Sequence, residues 1–64
     1  LSIGKRIKEL RDRKGLSQYQ LADLSDIDRR QVISIERGKG NPTISTITAI
    51  AGGLQLSVRE LIDF

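Results

Sequence analysis

The sequence predicts an all-α domain, and two features of its residue pattern support this fold class. Three segments open with a capping residue followed three positions later by Glu or Gln, namely Ser17–Gln20, Asp28–Gln31 and Ser57–Glu60. This is the capping-box pattern of helix N-termini. Apolar residues also recur every three to four positions, which is the spacing of one helix face rather than of a strand. Together these features predict a compact bundle of five short helices around one core.

The length and composition of the chain limit what it can be. With 64 residues it forms a single domain, residues 1–64, which buries only roughly 60% of its unfolded surface. Hydrophobic residues make up 38% and aromatic residues 3% of the chain, so the core must be aliphatic. Cysteine and histidine are absent, which excludes disulfides and thiolate metal sites and removes the usual general base. We therefore expect no metal, no cofactor and no enzymatic activity.

The charge balance is modestly basic. Lys and Arg number 11 against 8 Asp and Glu, giving a net charge of +3 and a pI of about 9.8, which suits an anionic partner without proving one. No stretch has the length of a transmembrane helix and no signal-peptide pattern is present, so we expect a cytoplasmic protein without membrane contact. The first residue is Leu rather than Met, which favours a fragment or a processed chain.

The first helix is expected to begin at Ser2, a capping residue, and to run to about Lys14. Gly15 ends it, because glycine readily adopts the positive φ that follows many helices. The buried stripe of this helix is expected to be Ile3, Ile7 and Leu10, with Leu16 packing inward after it. Its basic residues are interpreted mostly as a solvated face: Lys5, Arg6, Lys8, Arg11, Arg13 and Lys14.

The next two helices, within Ser17–Arg37, are joined by a tight turn at residues 25–27, where Asp26 can adopt the left-handed conformation. The positions expected to be buried are Leu21, Ala22, Ile27, Val32 and Ile35. Those expected to be exposed on the second of these helices, residues 28–36, are Arg29, Arg30, Ile33, Ser34 and Arg37. A short helix whose outward face begins with two arginines suits the reading of nucleic acid. We call it the reading helix.

The last third of the chain is predicted to hold two more helices. After the loop at residues 39–42, Thr43 caps a helix whose apolar positions are Ile44, Ile47, Ile50 or Ala51, and Leu54. Its β-branched residues suggest a strand, but the period of three to four favours a helix. Gly52 and Gly53 are expected to weaken its end. Ser57 then opens a short helix with the apolar residues Val58, Leu61, Ile62 and Phe64.

The segment Ser17–Arg37 resembles the helix-turn-helix of the phage repressor and Cro (XRE-like) family. The matched residues, in the family's order and spacing, are Gln18, Leu21, Ala22, Ile27, Val32, Ile35, Glu36 and Gly38. The flanks IGKRIKELRDRKGLSQ, ERGKGNPTISTI and LSVRELI agree as well, so the resemblance covers nearly the whole chain. It implies a lambda-repressor-like five-helix domain that binds double-stranded DNA with the reading helix in the major groove, and a repressor-like role in transcription.

The resemblance also implies roles for individual residues. Base contacts fall to Arg29, Arg30 and Ser34. Phosphate contacts fall to Gln18, Arg11, Lys39, Gly40, Asn41 and Thr43, with a plain connecting turn as the alternative for Gly40. A structural salt bridge joins Arg11 to Glu36 beneath the reading helix. Arginine suits base contact because it donates two parallel hydrogen bonds to guanine O6 and N7, although one of the two arginines contacting only phosphate is the alternative.

Two side chains near the reading helix are less typical. Ile33 stands where the family has a polar residue. It either touches a thymine methyl group or is a scattered apolar surface residue. Tyr19 is the one candidate for base stacking, and a single ring is too little for a single-strand platform, which favours duplex DNA.

A second function is compatible with the same fold, because fold does not determine function. The chain could be an antitoxin or another protein-interaction module, with a toxin or another protein as its main partner. Gln18, Arg29 and Arg30 on one face favour DNA instead. Family members bind palindromic operators as symmetric dimers, which implies a weak homodimer stabilised on DNA. Its expected surface comprises Gln55, Val58 and Phe64.

Overall fold

Each helix of the structure begins at a side chain that accepts a hydrogen bond from the helix's own first turn. The computed structural model describes residues 2–64, and the capping residues are Ser2, Ser17, Asp28, Thr43 and Ser57. The helices are α1 (Ile3–Arg13), α2 (Gln18–Ser25), α3 (Arg29–Glu36), α4 (Ile44–Gly53) and α5 (Val58–Ile62). The all-α prediction of five short helices is confirmed. Within residues 2–64, no helix has the length and apolarity needed to cross a lipid bilayer.

Two of the three predicted capping boxes are present. In Ser17–Gln20 and Ser57–Glu60, each side chain satisfies the other residue's backbone N–H. The third prediction, Asp28–Gln31, is wrong in its partner. The Asp28 carboxylate accepts from the backbone N–H of Arg30 at 2.8 Å instead, because it also forms an ion pair with the Arg30 side chain. Asp28 still caps the reading helix.

The turns between helices depend on residues with positive φ. Gly15 follows α1 with φ of 69°, and Asp26 ends α2 with φ of 55°, as predicted for both. Ser25 still belongs to α2, so the turn is one residue shorter than expected. Gln55 follows α4 with φ of 61°, a conformation that costs a side-chain-bearing residue more than it costs glycine.

The core is aliphatic and lies between all five helices. Its buried hydrophobic residues are Ile7, Leu21, Ala22, Val32, Ile35, Ile47, Ile50, Ala51, Leu54 and Leu61. Ile3, Leu10, Leu16 and Ile27 pack against it partly buried, which agrees with the predicted stripes. The prediction for Ile44 is wrong, since this side chain is 79% exposed. Ile44 is the first residue of α4, where the helix has begun but no neighbouring helix covers it.

Two glycines allow helices to touch backbone to backbone or nearly so. A Cβ at Gly4 in α1 would collide with the carbonyl oxygen of Ile35 in α3. A Cβ at Gly53 in α4 would collide with the hydroxyl of Ser25 in α2. Gly53 was expected only to weaken the end of its helix. It instead lets α4 approach α2 closely, whereas nothing lies within 4 Å of a Cβ placed at Gly52.

Candidate nucleic-acid interface

A buried ion pair lies directly beneath the reading helix. The Nε and Nη2 atoms of Arg11 donate to the two carboxylate oxygens of Glu36 at 2.7 and 2.9 Å. Only 10% of the Arg11 side chain and 4% of the Glu36 side chain are exposed. The expected salt bridge is therefore present, and it joins α1 to the last residue of α3. Its hydrogen bonds to Glu36 raise the pKa of Arg11 above its ordinary value.

Gln18 extends this ion pair into a network across three helices. Its side-chain amide donates to Glu36 Oε1 at 3.1 Å, and Gln18 is the first residue of α2. Arg11 meanwhile donates from Nη1 to the backbone carbonyl of Leu16 at 2.8 Å. We call Arg11, Gln18 and Glu36 the anchoring network. It links the end of α3 to both α1 and α2.

Arg11 was expected to contact a phosphate as well as Glu36. In the structure each of its three side-chain nitrogens donates to Glu36 or to Leu16, and Nη1 also lies 3.3 Å from a carboxylate oxygen of Asp12. The Arg11 side chain is 10% exposed. Because these hydrogen bonds leave N–H groups of the guanidinium unused, the phosphate contact of Arg11 stays a prediction.

At the opposite end of α3, the second arginine of the reading helix forms an exposed ion pair. Nη2 of Arg30 lies 3.0 Å from Asp28 Oδ2, and Nε lies 3.3 Å from Oδ1. The two side chains are 88% and 50% exposed. Hydrogen bonds from Arg30 lower the pKa of Asp28, and the same carboxylate raises the pKa of Arg30. Both groups are thus charged at neutral pH.

The first arginine of the reading helix has an aromatic partner instead. The guanidinium carbon of Arg29 lies 5.5 Å from the centre of the Tyr19 ring, within the range of a cation–π contact. Tyr19 belongs to α2 and is 64% exposed. The ring, which was considered above for base stacking, therefore orients an arginine of α3. The side chains of Tyr19, Arg29 and Arg30 line an open groove between the two helices.

The remaining candidate base contacts are less exposed than expected. Ile33 and Ser34 are both half-buried. The Ser34 hydroxyl lies 3.4 Å from the carbonyl oxygen of Lys39, which connects α3 to the loop that follows it. Gln31, which was predicted only as a capping-box partner of Asp28, is exposed on α3.

The loop expected to bind phosphate is exposed. Lys39, Gly40 and Asn41 are all accessible, and Gly40 has φ of 73°. Thr43 is exposed too, but its hydroxyl caps α4 by accepting from the Thr46 N–H at 3.1 Å. At the other end of the chain, Gln55 and Phe64 are exposed, whereas Val58 packs half-buried against the core.

Arg6 has a structural role that the sequence pattern does not predict. Arg6 was assigned to a solvated face, but its Nε donates to the carbonyl of Leu61 and its Nη2 to that of Glu60, both at 3.1 Å. These carbonyls belong to α5, where they have no partner within so short a helix. No local pattern predicts a contact between residues 55 positions apart.

Within residues 2–64, no group of acidic residues is arranged to hold a metal ion.

Comparison with known proteins agrees with this geometry. The helix-turn-helix family profile matches residues 7–61. The chain is 37% identical over 62 residues to the immunity repressor of Bacillus phage phi105, covering 97% of this chain and 43% of the repressor. The chain therefore spans less than half the length of that relative.

Two solved structures show how closely the backbone follows known folds. The restriction-modification controller protein C.AhdI from Aeromonas hydrophila superposes with a TM-score of 0.90 at 45% identity, over 94% of this chain and 91% of that one. The biofilm master regulator SinR, solved in complex with DNA, superposes with a TM-score of 0.85 at 37% identity, over 95% of this chain and 98% of that one.

Proposed function

Since the chain belongs to the helix-turn-helix family, we propose that it binds a specific sequence of double-stranded DNA with α3 in the major groove and regulates transcription as a repressor. The observation that carries this proposal is the contrast between the two ends of α3. Its last residue, Glu36, is held in the buried anchoring network, while Arg29 and Arg30 at its start are exposed. A helix held this firmly presents two arginines in a reproducible position, as sequence reading requires.

The phosphate contacts of this proposal surround the reading helix. Gln18 uses one amide hydrogen on Glu36 and keeps a second for a phosphate oxygen, beside the N-terminal N–H groups of α2. The exposed loop contributes Lys39, Gly40 and Asn41, and Thr43 lies just beyond it. Ser34 and Ile33 are kept as base contacts at the half-buried edge of α3.

The proposal is tested by measuring binding to duplex DNA across a range of salt concentrations. Affinity should fall steeply with salt, because bound phosphates release counterions. Lys39→Ala should weaken binding to all sequences about equally and flatten the salt slope by about one unit. Arg59→Ala removes an exposed charge from α5 and serves as the matched control, with little change in slope. Equal slopes for the two variants would remove Lys39 from the interface.

We further propose that the chain binds a palindromic operator as a weak homodimer that forms on the DNA. A single short helix contacts too few base pairs to select one genomic site. The proposed surface comprises Gln55, Val58 and Phe64, and we propose to include Ile62 because it is 53% exposed. Footprinting should reveal two protected half-sites roughly 34 Å apart. Phe64→Ala is the suitable test variant, because Phe64 is 51% exposed whereas Val58 packs against the core.

One protected half-site with one chain bound per duplex would refute the dimer. It would leave the proposal of sequence-specific binding intact.

No observation favours the antitoxin or protein-interaction alternative, since the relatives described above are a repressor, a controller protein and a regulator by name. A catalytic activity is not part of the proposal, and a cytoplasmic location is the one in which such a regulator meets its operator.

A further inference from the structure

The guanidinium of Arg30 is held along one edge only. Its Nε and Nη2 atoms face the two oxygens of Asp28. Within residues 2–64 no hydrogen bond engages Nη1, so the edge formed by Nη1 and the second hydrogen of Nη2 is free. We infer that Asp28 is a positioning residue that aims this free edge of Arg30 at the O6 and N7 atoms of one guanine. The inference rests on the proposed function and makes it more specific.

Asp28 is itself well fixed in place. As the capping residue of α3 it accepts the backbone N–H of Arg30 at 2.8 Å, so its carboxylate cannot move far without releasing the helix N-terminus. The side chain of Arg30 then binds this fixed carboxylate through two donors. An arginine held before binding loses less side-chain freedom when it meets a base. Its planar fork also has a defined direction rather than a range of rotamers.

The charge of this pair favours a base over a phosphate. Asp28 and Arg30 together carry no net charge, so a phosphate gains little from Arg30 and is repelled by the adjacent carboxylate. Guanine O6 and N7 are neutral acceptors that match two parallel donors. Arg29 differs, because its partner is the uncharged ring of Tyr19 and its full positive charge remains available. Of the two arginines, Arg30 is therefore the guanine reader, and Arg29 suits a phosphate or a second base.

The ionisation of the pair is consistent with this role. Its hydrogen bonds to Arg30 keep the pKa of Asp28 below the ordinary value, so the carboxylate is charged under all physiological conditions. The carboxylate therefore needs no change in ionisation when DNA binds.

The test begins with the duplex that the wild-type chain selects from a pool of randomised double-stranded DNA. Binding is then measured to that duplex and to each of its single-base-pair variants. Arg30→Ala should reduce the preference for guanine at one G·C pair roughly tenfold. Asp28→Asn should reduce the same preference several-fold, and adding it to Arg30→Ala should cause no further loss. Asparagine caps helices as well as aspartate does, so thermal stability should hardly change.

A matched control distinguishes the positioning of Arg30 by Asp28 from the general effect of removing a negative charge. Asp23→Asn removes the same charge from an exposed residue that lines the same groove as Arg30 but does not contact it. Both substitutions should strengthen non-specific binding, because each removes a charge that repels phosphates. Of these two substitutions, Asp28→Asn alone should reduce the preference for guanine. Asp28→Ser, which also keeps a capping oxygen, should reproduce the effect.

The possible failures are distinguishable. If Asp28→Asn behaves like Asp23→Asn and strengthens binding to every duplex equally, Asp28 only caps α3 and the inference is overturned. If Arg30→Ala weakens all duplexes to the same extent, Arg30 contacts the backbone and the inference is overturned as well. In both cases the proposed function survives. If the wild-type chain selects no sequence from the pool, the proposed function fails, and the inference fails with it.

Discussion

Arg11 and Arg30 each bind a carboxylate through two nitrogens, yet they do so in opposite surroundings. The Arg11–Glu36 pair lies in the interior with side chains 10% and 4% exposed, and the Arg30–Asp28 pair lies at the surface with 88% and 50% exposed. A buried charge without its partner is expensive, whereas an exposed one is readily solvated. The first pair is therefore fixed, and the second keeps donors that can bind another molecule.

The comparison shows how one short helix combines rigidity with the capacity to bind. The end of α3 that carries Glu36 is tied to both α1 and α2. At the start of α3, Arg30 pairs with Asp28 and Arg29 contacts the ring of Tyr19 in α2. Substitutions at the buried end should thus change stability, and substitutions at the exposed end should change binding. The predictions below test this division, from the largest expected effect to the smallest.

Removing Glu36 should destabilise the domain most. Glu36→Ala leaves the buried Arg11 with only the exposed carboxylate of Asp12, 3.3 Å away, as a charged partner, and should cost up to about 3–5 kcal/mol of unfolding free energy. Glu9→Ala, the matched control, breaks the exposed Glu9–Arg13 pair on α1 and should cost only about 0.3–0.5 kcal/mol. Urea denaturation followed by helical circular dichroism measures both.

A double substitution distinguishes lost charge pairing from lost packing around Glu36. Combining Arg11→Met with Glu36→Leu leaves no unpaired charge in the interior, since the remaining carboxylate of Asp12 is exposed. The double variant should therefore recover most of the stability lost in Glu36→Ala. If the double variant is as unstable as the single one, the cost arises from packing or from Gln18. In that case the anchoring network would not act chiefly through charge.

Adding a methyl group where α1 contacts α3 should destabilise the domain nearly as much as removing Glu36. Gly4→Ala places a methyl group against the backbone carbonyl of Ile35, which cannot move away as a side chain would, and should cost about 1–3 kcal/mol. Gly52→Ala adds the same group in open space and should be neutral or stabilising by up to about 1 kcal/mol. Thermal denaturation of the two variants measures the difference. A Gly4→Ala variant as stable as the wild type would mean that α1 does not pack this closely on α3.

The exposed pair should respond to acid with only a small effect on stability. The pKa of Asp28 is lowered from 3.8, chiefly by its hydrogen bond with the Arg30 side chain. Its contribution to stability is therefore present above pH 3.8 and is lost as the pH falls through the lower, folded value. Nuclear magnetic resonance titration should report this lowered pKa, and Arg30→Ala should move it back toward 3.8. An Asp28 pKa that does not change in Arg30→Ala would show that the two side chains do not pair in solution.

Local sequence patterns predicted the helices and most of the core. The capping residues Ser17 and Ser57, the turn at Asp26 and the apolar stripes all depend on neighbours within four positions. The third capping box was wrong because Asp28 had a stronger local competitor, the Arg30 guanidinium. Periodicity also placed Ile44 inside, since spacing along one helix cannot tell where the neighbouring helices end.

The candidate site was predicted only in part, and the prediction depended on family resemblance as well as on local patterns. The exposure of Arg29 and Arg30 followed from the spacing of the apolar residues, whereas their role as base contacts and the Arg11–Glu36 pair followed from the family resemblance. The roles of Gly4 and Arg6 could not be found in this way, because their partners lie in helices distant in the sequence. The Tyr19–Arg29 contact likewise depends on how closely α2 and α3 approach each other. Contacts between helices require the assembled fold before they can be seen.

The anchoring network has a consequence for the lifetime of the protein. Because Glu36 joins α1, α2 and α3, the face that would meet DNA exists only while the chain is folded. Under the proposed function, a duplex at 100 times its Kd would then add about 2.7 kcal/mol to the free energy of unfolding, which is a large addition for a chain of this size. Proteases act on the unfolded fraction. Chains on their operator would therefore persist, and chains in excess of operator sites would be degraded first.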